Sequence, residues 1–147
     1  MNDKSRMKHF NIGGIFSIGV PDEAIFKKGA GGCDIQVMLG SPDEPIRFYL
    51  FQDLGESGLD WSYRTLIKHV EESIGPPFQT SVQQVEGESW IGYQAVTALG
   101  GTHFLVNRVL ASKVSDDALR IEFNLTGDDI PETWLEIIES VEFGPGE

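Results

Sequence analysis

The chain has one cysteine, Cys33, within the glycine-rich stretch FKKGAGGCDI at residues 26–35. A phosphate-binding loop of the type G-x-x-x-x-G-K-[ST] needs a lysine for the phosphate and a hydroxyl for Mg²⁺, and neither follows these glycines. A dinucleotide-binding turn opens a helix, whereas a strand pattern follows here. A thiol nucleophile needs a base beside it, and His9, His69 and His103 are distant in sequence. We interpret the stretch as a connecting loop, with a nucleophilic or regulatory thiol as the alternatives.

A second candidate for chemistry is the acidic segment QDLGESGLDW, which carries Asp53, Glu56 and Asp60. Three carboxylates could supply the oxygen ligands that Ca²⁺ takes, and two could perform acid/base hydrolysis. The spacing does not match an EF-hand loop, and the histidines form no H-x-H or H-E-x-x-H pair. We therefore predict a solvated loop whose last acid, Asp60, caps a helix, and we predict no metal site.

Length and composition predict a single domain over residues 1–147, with residues 1–14 and 144–147 loosely ordered. No apolar run approaches the ~20 residues of a membrane-spanning helix, so we expect no membrane insertion. The single cysteine rules out an internal disulfide and fits a reducing compartment. We therefore expect a cytoplasmic protein.

The charge balance is strongly acidic, with a net charge of −12. After Arg120 there is no further Lys or Arg, while eight acidic residues follow. Such a field repels phosphate backbones, so we expect no nucleic-acid partner. It could instead steer a basic partner toward the protein.

Alternating apolar residues predict half-buried strands along most of the chain. The turn sequence SPDEP separates two of them, which should form an antiparallel pair. Two longer runs flank Gly100-Gly101, a strong signal for a two-residue hairpin. A further run, QTSVQQVEG, precedes this hairpin. The other predicted strands cover residues 16–20, 34–39, 46–52, 89–99, 102–112 and 118–126.

Two segments instead repeat their apolar residues every three or four positions, as a helix with one buried face does. The first starts near Asp60 or Ser62 and stops at Gly75, which Pro76 and Pro77 follow. The second lies near the carboxyl end, and its predicted buried stripe consists of Ile130, Trp134, Ile137, Ile138 and Val141.

Strands grouped together with segregated helices predict an α+β protein: a single twisted antiparallel sheet of about six strands with two main helices packed on it. Over about residues 15–143, this order is carried by FSIGVPDE, RFYLFQDLG, SYRTLIKHVEESIG, VEGESWIGYQAV and WLEIIESVEFG. It resembles the PsbP-like fold family, which includes Mog-like and DcrB-like proteins. The resemblance implies a protein that is not an enzyme, since such proteins act as binding modules, assembly factors or chaperones.

Our leading hypothesis is a non-catalytic cytosolic protein-binding module, such as a chaperone, adaptor or immunity-type partner, with no cofactor. Its partner would be basic or carry an exposed apolar segment, and open sheet edges would allow a homodimer. One alternative is a small-molecule-binding protein that uses a cleft between sheet and helix. A further alternative is a carboxylate-dependent hydrolase that uses the acidic segment.

For the binding hypothesis we place the contact surface on an exposed face of the sheet. The predicted binding residues there are Trp90, Gln94, Arg108 and Arg120, with Trp61 at the start of the first helix. Trp and Tyr flanked by acidic clusters are typical anchors in protein interfaces, and the strand arginines could bind an anionic group. We predict no catalytic residue.

Overall fold

The computed structural model of the chain describes residues 7–22, 24–29, 35–38, 46–52, 58–73, 79–126, 130 and 132–144. Within these ranges the chain forms ten strands and two helices. Their order is β1 (Met7–Ile12), β2 (Phe16–Pro21), β3 (Ile25–Lys28), β4 (Ile35–Met38), β5 (Ile46–Phe51), α1 (Leu59–Ser73), β6 (Gln79–Glu86), β7 (Trp90–Gly100), β8 (His103–Ser112), β9 (Ala118–Thr126), α2 (Glu132–Glu139) and β10 (Glu142–Phe143).

The strands form two sheets. Seven of them make one antiparallel sheet in the order β3-β4-β5-β9-β8-β7-β6, and the other three make a small sheet in the order β1-β2-β10. The α+β class is confirmed, whereas the prediction of a single sheet of about six strands is wrong. Residues 7–12, within the stretch that we expected to be loosely ordered, form β1 and pair with β2 outside the main sheet.

Side-chain alternation gives the seven-stranded sheet two different faces. α1 lies over β7 and β8 on one of them, which we call the α1 face; there Leu66 and Val70 pack with Ala95 and Val109. The small sheet and α2 cover the opposite side, which we call the core face. The core face holds the larger apolar cluster, which includes Phe16, Ile18, Phe48, Trp90, Leu110, Phe123, Ile137 and Ile138.

The two helices follow the predicted apolar stripes. α1 begins at Leu59, so Asp60 lies inside its first turn, where a negative charge is favourable. In α2, Ile137 and Ile138 are fully buried, and the Trp134 ring meets Phe123 edge-on at 5.4 Å. Neither helix is long and apolar enough to cross a membrane.

The predicted hairpin between β7 and β8 is present, with its turn shifted by one residue. Gly100 pairs with His103, so Gly101 and Thr102 form the turn. The pairing register shifts between Ala98 and Gly100, and Gly101 has a φ of 59°. Glycine adopts such a φ at little cost, which explains why this position suits a turn.

A second glycine is required for a different reason. Gly92 lies in the middle of β7 on the core face, and a Cβ placed there would lie 1.9 Å from the backbone oxygen of Val109 on β8. Glycine within a strand often marks such a close approach of two backbones. Because the neighbour is backbone, no side-chain rotation relieves the overlap.

We therefore expect Gly92→Ala to lower the free energy of unfolding by about 3 kcal/mol, the upper end of the usual cost of overpacking, measured by urea denaturation. Gly14→Ala is the control. A Cβ there meets nothing within 4 Å, so the only cost is that alanine must adopt the positive φ of 75°. That variant should lose about 1–2 kcal/mol. Equal losses in the two variants would refute the close approach at Gly92.

Candidate functional site

The five predicted binding residues lie on different sides of the sheet. Trp90, Gln94 and Arg108 alternate onto the core face, where all three are buried. Arg120 pairs with Val109 in the ladder and therefore faces the α1 side, where it is half-buried. Trp61 lies on α1 and is also half-buried. The structure therefore does not bring the five residues together on one exposed face.

Trp90 is a core residue and is only 2% exposed. Its indole N–H donates a hydrogen bond to the carbonyl oxygen of Val141, just after α2, at 2.8 Å. Gly87 lies under the ring, because a Cβ at that position would be 2.4 Å from a ring carbon. Trp90 thus anchors the segment that follows α2 to the main sheet.

Arg108 also connects the main sheet to α2. Its Nε donates to Oε1 of Gln94 at 2.6 Å, and a terminal nitrogen donates to Oε2 of Glu139 on α2 at 2.5 Å. The guanidinium also lies 5.9 Å from the centre of the Trp90 ring, a cation–π distance. The Arg108 side chain is 5% exposed, whereas that of Glu139 is 46% exposed. These residues attach α2 to the sheet, so the prediction that Trp90, Gln94 and Arg108 lie on an exposed face is wrong.

Arg120 has a different environment, at the side of α1. Its guanidinium donates to Oε1 of Glu122 at 2.5 Å and to Oδ1 of Asn107 at 3.0 Å, and it lies 3.0 Å from Nε2 of His69 on α1. It also stacks over the ring of Tyr49 at 4.0 Å. Four groups, one each from β5, β8, β9 and α1, therefore fix one arginine.

The alternation of β5 places further side chains beside Arg120. Ile46 and Phe48 point to the core face, so Arg47, Tyr49 and Phe51 point to the α1 face. Phe51 meets the ring of Trp61 edge-on at 5.8 Å, which joins α1 to this row. We call Arg47, Tyr49, Phe51, Trp61 and Arg120 the aromatic–arginine strip; all five are half-buried.

The carboxylate at the end of the strip remains charged well into the acidic range. The imidazole of His69 and then the guanidinium of Arg120 lower the pKa of Glu122 from 4.5 to about 2, although burial acts in the opposite direction. His69 Nε2 is 3.7 Å from Glu122 Oε1. A carboxylate with so low a pKa is a poor proton acceptor at neutral pH. Glu122 is therefore a poor candidate for a general base.

The structure describes only part of the acidic segment. Asp53, Glu56 and Cys33 lie outside the described residues. Asp60 is on the surface of α1 and forms an exposed ion pair with Arg64 at 3.0 Å. Among the residues that the structure describes, no three His, Cys, Asp or Glu side chains are grouped closely enough to hold a metal ion.

Sequence reasoning did not assign Tyr49, Phe51 and His69 to a site. The period of two in IRFYLF places Arg47, Tyr49 and Phe51 on one face, and this signal was available. The contact between His69 and Arg120 joins residues 51 positions apart. It depends on the position of α1 over the sheet, which local periodicity does not determine.

Comparison with known proteins identifies the fold and no closer relationship. No protein-family profile and no curated protein sequence matches the chain. Cyanobacterial PsbP (CyanoP) from Synechocystis sp. PCC 6803 is a similar solved structure, with a TM-score of 0.61 and 14% identity over 94% of this chain and 92% of that one.

Two further structures show the same likeness. LpqN of Mycobacterium tuberculosis, described as involved in cell envelope biogenesis, gives a TM-score of 0.58 and 12% identity over 95% of this chain and 92% of its own. A protein from Bacteroides thetaiotaomicron VPI-5482 gives 0.54 and 15%, over 97% of this chain and 50% of its own length. The chain is thus an α+β protein, with two sheets and two helices in the part that the structure describes. It has a PsbP-like fold, which confirms the predicted resemblance.

If Arg108 attaches α2, its removal should affect stability. Arg108→Ala leaves a buried acceptor on Gln94 without its donor, and we expect a loss of about 2–4 kcal/mol in urea unfolding at pH 7. Arg64→Ala, in an exposed i,i+4 ion pair, serves as the control and should cost less than ~0.5 kcal/mol. A loss below about 1 kcal/mol for Arg108→Ala would contradict a structural role.

The low pKa of Glu122 predicts a specific pH dependence. Because its folded-state value of about 2 lies below the ordinary 4.5, the charged carboxylate stabilises the fold above pH ~4.5, and this contribution disappears as the pH falls toward 2. Glu122→Gln should therefore cost on the order of 2–3 kcal/mol at pH 7 and almost nothing near pH 2.

Chemical denaturation of the protein and the Glu122→Gln variant between pH 2 and pH 7 measures this difference. Glu88→Gln, at an exposed position in the β6–β7 turn, is the control and should stay within ~0.5 kcal/mol of the parent throughout. A cost of Glu122→Gln that does not change with pH would disprove the role of its charge.

Proposed function

We propose that the chain is a non-catalytic, cytosolic protein-binding module that acts as a chaperone, adaptor or immunity-type partner of another protein. The observation that carries the proposal is the aromatic–arginine strip on the side of the sheet beside α1. Its tryptophan, tyrosine and arginines are the residue types that dominate the binding energy of protein interfaces. The lone cysteine is compatible with a reducing compartment.

The strip is suited to binding because its side chains are held in place before a partner arrives. Arg120 is fixed by Glu122, Asn107 and the Tyr49 ring, and Trp61 is fixed by Phe51. Pre-ordered side chains lose little entropy on association, so more of their contact energy appears as affinity. Their partial exposure leaves aromatic area accessible, whereas the side chain of Arg120 is only 12% exposed.

The proposed partner is a protein with an apolar segment and a basic surrounding surface. Aromatic rings along the strip would contact the apolar segment. The net charge of −12 would attract basic side chains around it and raise the association rate. Binding of this kind should weaken as the salt concentration rises.

A second candidate function is supported by a separate observation. Among the described residues, Nδ2 of Asn107 and Oγ of Ser62 are fully buried without a hydrogen-bond partner, and both belong to the interface between the sheet and α1. A displacement of α1 from the sheet would make both groups available to the polar atoms of a small molecule. A rise of several degrees in melting temperature with one compound of a metabolite panel, abolished in Asn107→Leu, would support this candidate.

The protein-binding proposal predicts a matched difference between two tyrosine variants. The tagged protein is used to capture its partner from a native extract, the partner is identified by mass spectrometry, and its affinity is measured by calorimetry. Tyr49→Ala should weaken binding at least tenfold, since a hot-spot residue contributes ~1.4 kcal/mol or more. Tyr63→Ala, exposed on α1 next to Tyr93 rather than in the strip, should change it little.

Trp61→Ala provides an independent measure at the other end of the strip and should also weaken binding. A partner that binds all three variants as tightly as the parent would place the interface elsewhere. Failure to capture any stoichiometric partner would refute the adaptor role.

A further inference from the structure

The strand β6 forms the edge of the seven-stranded sheet opposite β3. β6 is the last strand of the seven-stranded sheet and pairs only with β7 among the described strands. It is eight residues long, and residues 81–84 are exposed along it. Val82 is 37% exposed, a large value for a valine in a sheet.

Proteins usually protect an open edge strand with lysine, proline or a bulge. β6 contains neither lysine nor proline, and its register with β7 runs without interruption from Gln79–Ala98 to Glu86–Ile91. Glu86 is its one charged residue, and Nζ of Lys113 lies 2.6 Å from its carboxylate. The edge is therefore regular and nearly neutral in a chain whose net charge is −12.

The hairpin geometry shows which backbone groups face away from β7. The N–H of Gly87 donates to the carbonyl oxygen of Trp90 at 2.9 Å, so these two form a hydrogen-bonded pair. Bonded and non-bonded pairs alternate along an antiparallel ladder. The backbone N–H and C=O groups of Ser81 and Gln83 therefore face β7, and those of Thr80, Val82 and Gln84 face outward.

We propose that β6 pairs with β6 of a second copy of this chain, antiparallel and centred on Val82, so that the sheets of the two copies become continuous. A two-fold axis perpendicular to the sheet through this point places Val82 beside Val82 of the partner subunit. Thr80 then pairs with Gln84 of the partner subunit, and all of these groups face outward. Three bonded pairs give about six new backbone hydrogen bonds.

This register lets two copies meet without like-charge repulsion between the paired residues. Most surfaces of two acidic chains repel each other, but the residues that meet here are uncharged, and Glu86 lies beyond the partner's paired segment. With the axis at Val82, each Val82 side chain meets Val82 of the partner subunit. With the axis at Gln83, it would instead meet Gln84 of the partner subunit, so the apolar contact favours the axis at Val82. The inference is independent of the aromatic–arginine strip, which lies on the other side of α1.

The dependence on salt concentration distinguishes this dimerisation from the proposed partner binding. Two chains of charge −12 repel at long range, so screening should strengthen the dimer. Binding of a basic partner at the strip should instead weaken with salt. Failure of one proposal is therefore distinguishable from failure of the other.

Sedimentation equilibrium over a wide concentration range tests the dimer. We expect a monomer–dimer equilibrium whose dissociation constant falls at higher salt. Val82→Lys places two like charges opposite each other and should raise that constant at least tenfold. Val114→Lys is the matched control, because Val114 is 63% exposed outside the edge, and this variant should dimerise like the parent.

Amide hydrogen exchange tests the register without any substitution. The amides of Ser81 and Gln83 should be protected at every concentration by their bonds to β7. Those of Val82 and Gln84 should become protected only as the dimer forms. A monomer at all concentrations, or a dimer in which the Val82 amide stays unprotected, would overturn the proposal.

Discussion

The structure depends on the closure of the core face over Trp90 and Arg108. The Trp90 indole bonds the carbonyl of Val141, and the Arg108 guanidinium reaches Glu139, so one patch of the sheet holds both α2 and the residues after it. A buried guanidinium loses its hydration, and its hydrogen bonds to Gln94 and Glu139 must offset that cost. Ile137 and Ile138 add apolar burial to the same contact. This closure leaves the α1 face as the side on which the proposed recognition surface lies.

The opposite face is closed less completely, and the candidate site lies there for that reason. α1 covers β7 and β8 with Leu66 and Val70, while the side chains of β5 and β9 beside it stay half-buried. Arg120 occupies the boundary and is paired with Glu122 in a partly dry environment, where such a pair is stronger than at the surface. A rigid sheet thus presents aromatic and guanidinium groups in fixed positions, which is what a recognition surface requires.

The sequence predicted the elements more successfully than their arrangement. Apolar periodicity located α1, the β7–β8 hairpin, β9 and the stripe of α2, because a strand or helix repeats its buried residues locally. The same pattern places Trp90, Gln94 and Arg108 on one face without revealing that α2 covers it. Long-range packing decides this, and a mixed polar face was therefore read as solvent-facing. β10 has two residues, too few to show any period.

Hydroxyl-radical footprinting of the protein, alone and with its captured partner, is the most direct test of the proposed recognition surface. It reports the solvent exposure of individual aromatic side chains without altering them. The account predicts slower oxidation of Tyr49, Phe51 and Trp61 in the complex and no change at Tyr63, which lies outside the strip. Unchanged oxidation of the three strip residues, with protection elsewhere, would contradict it.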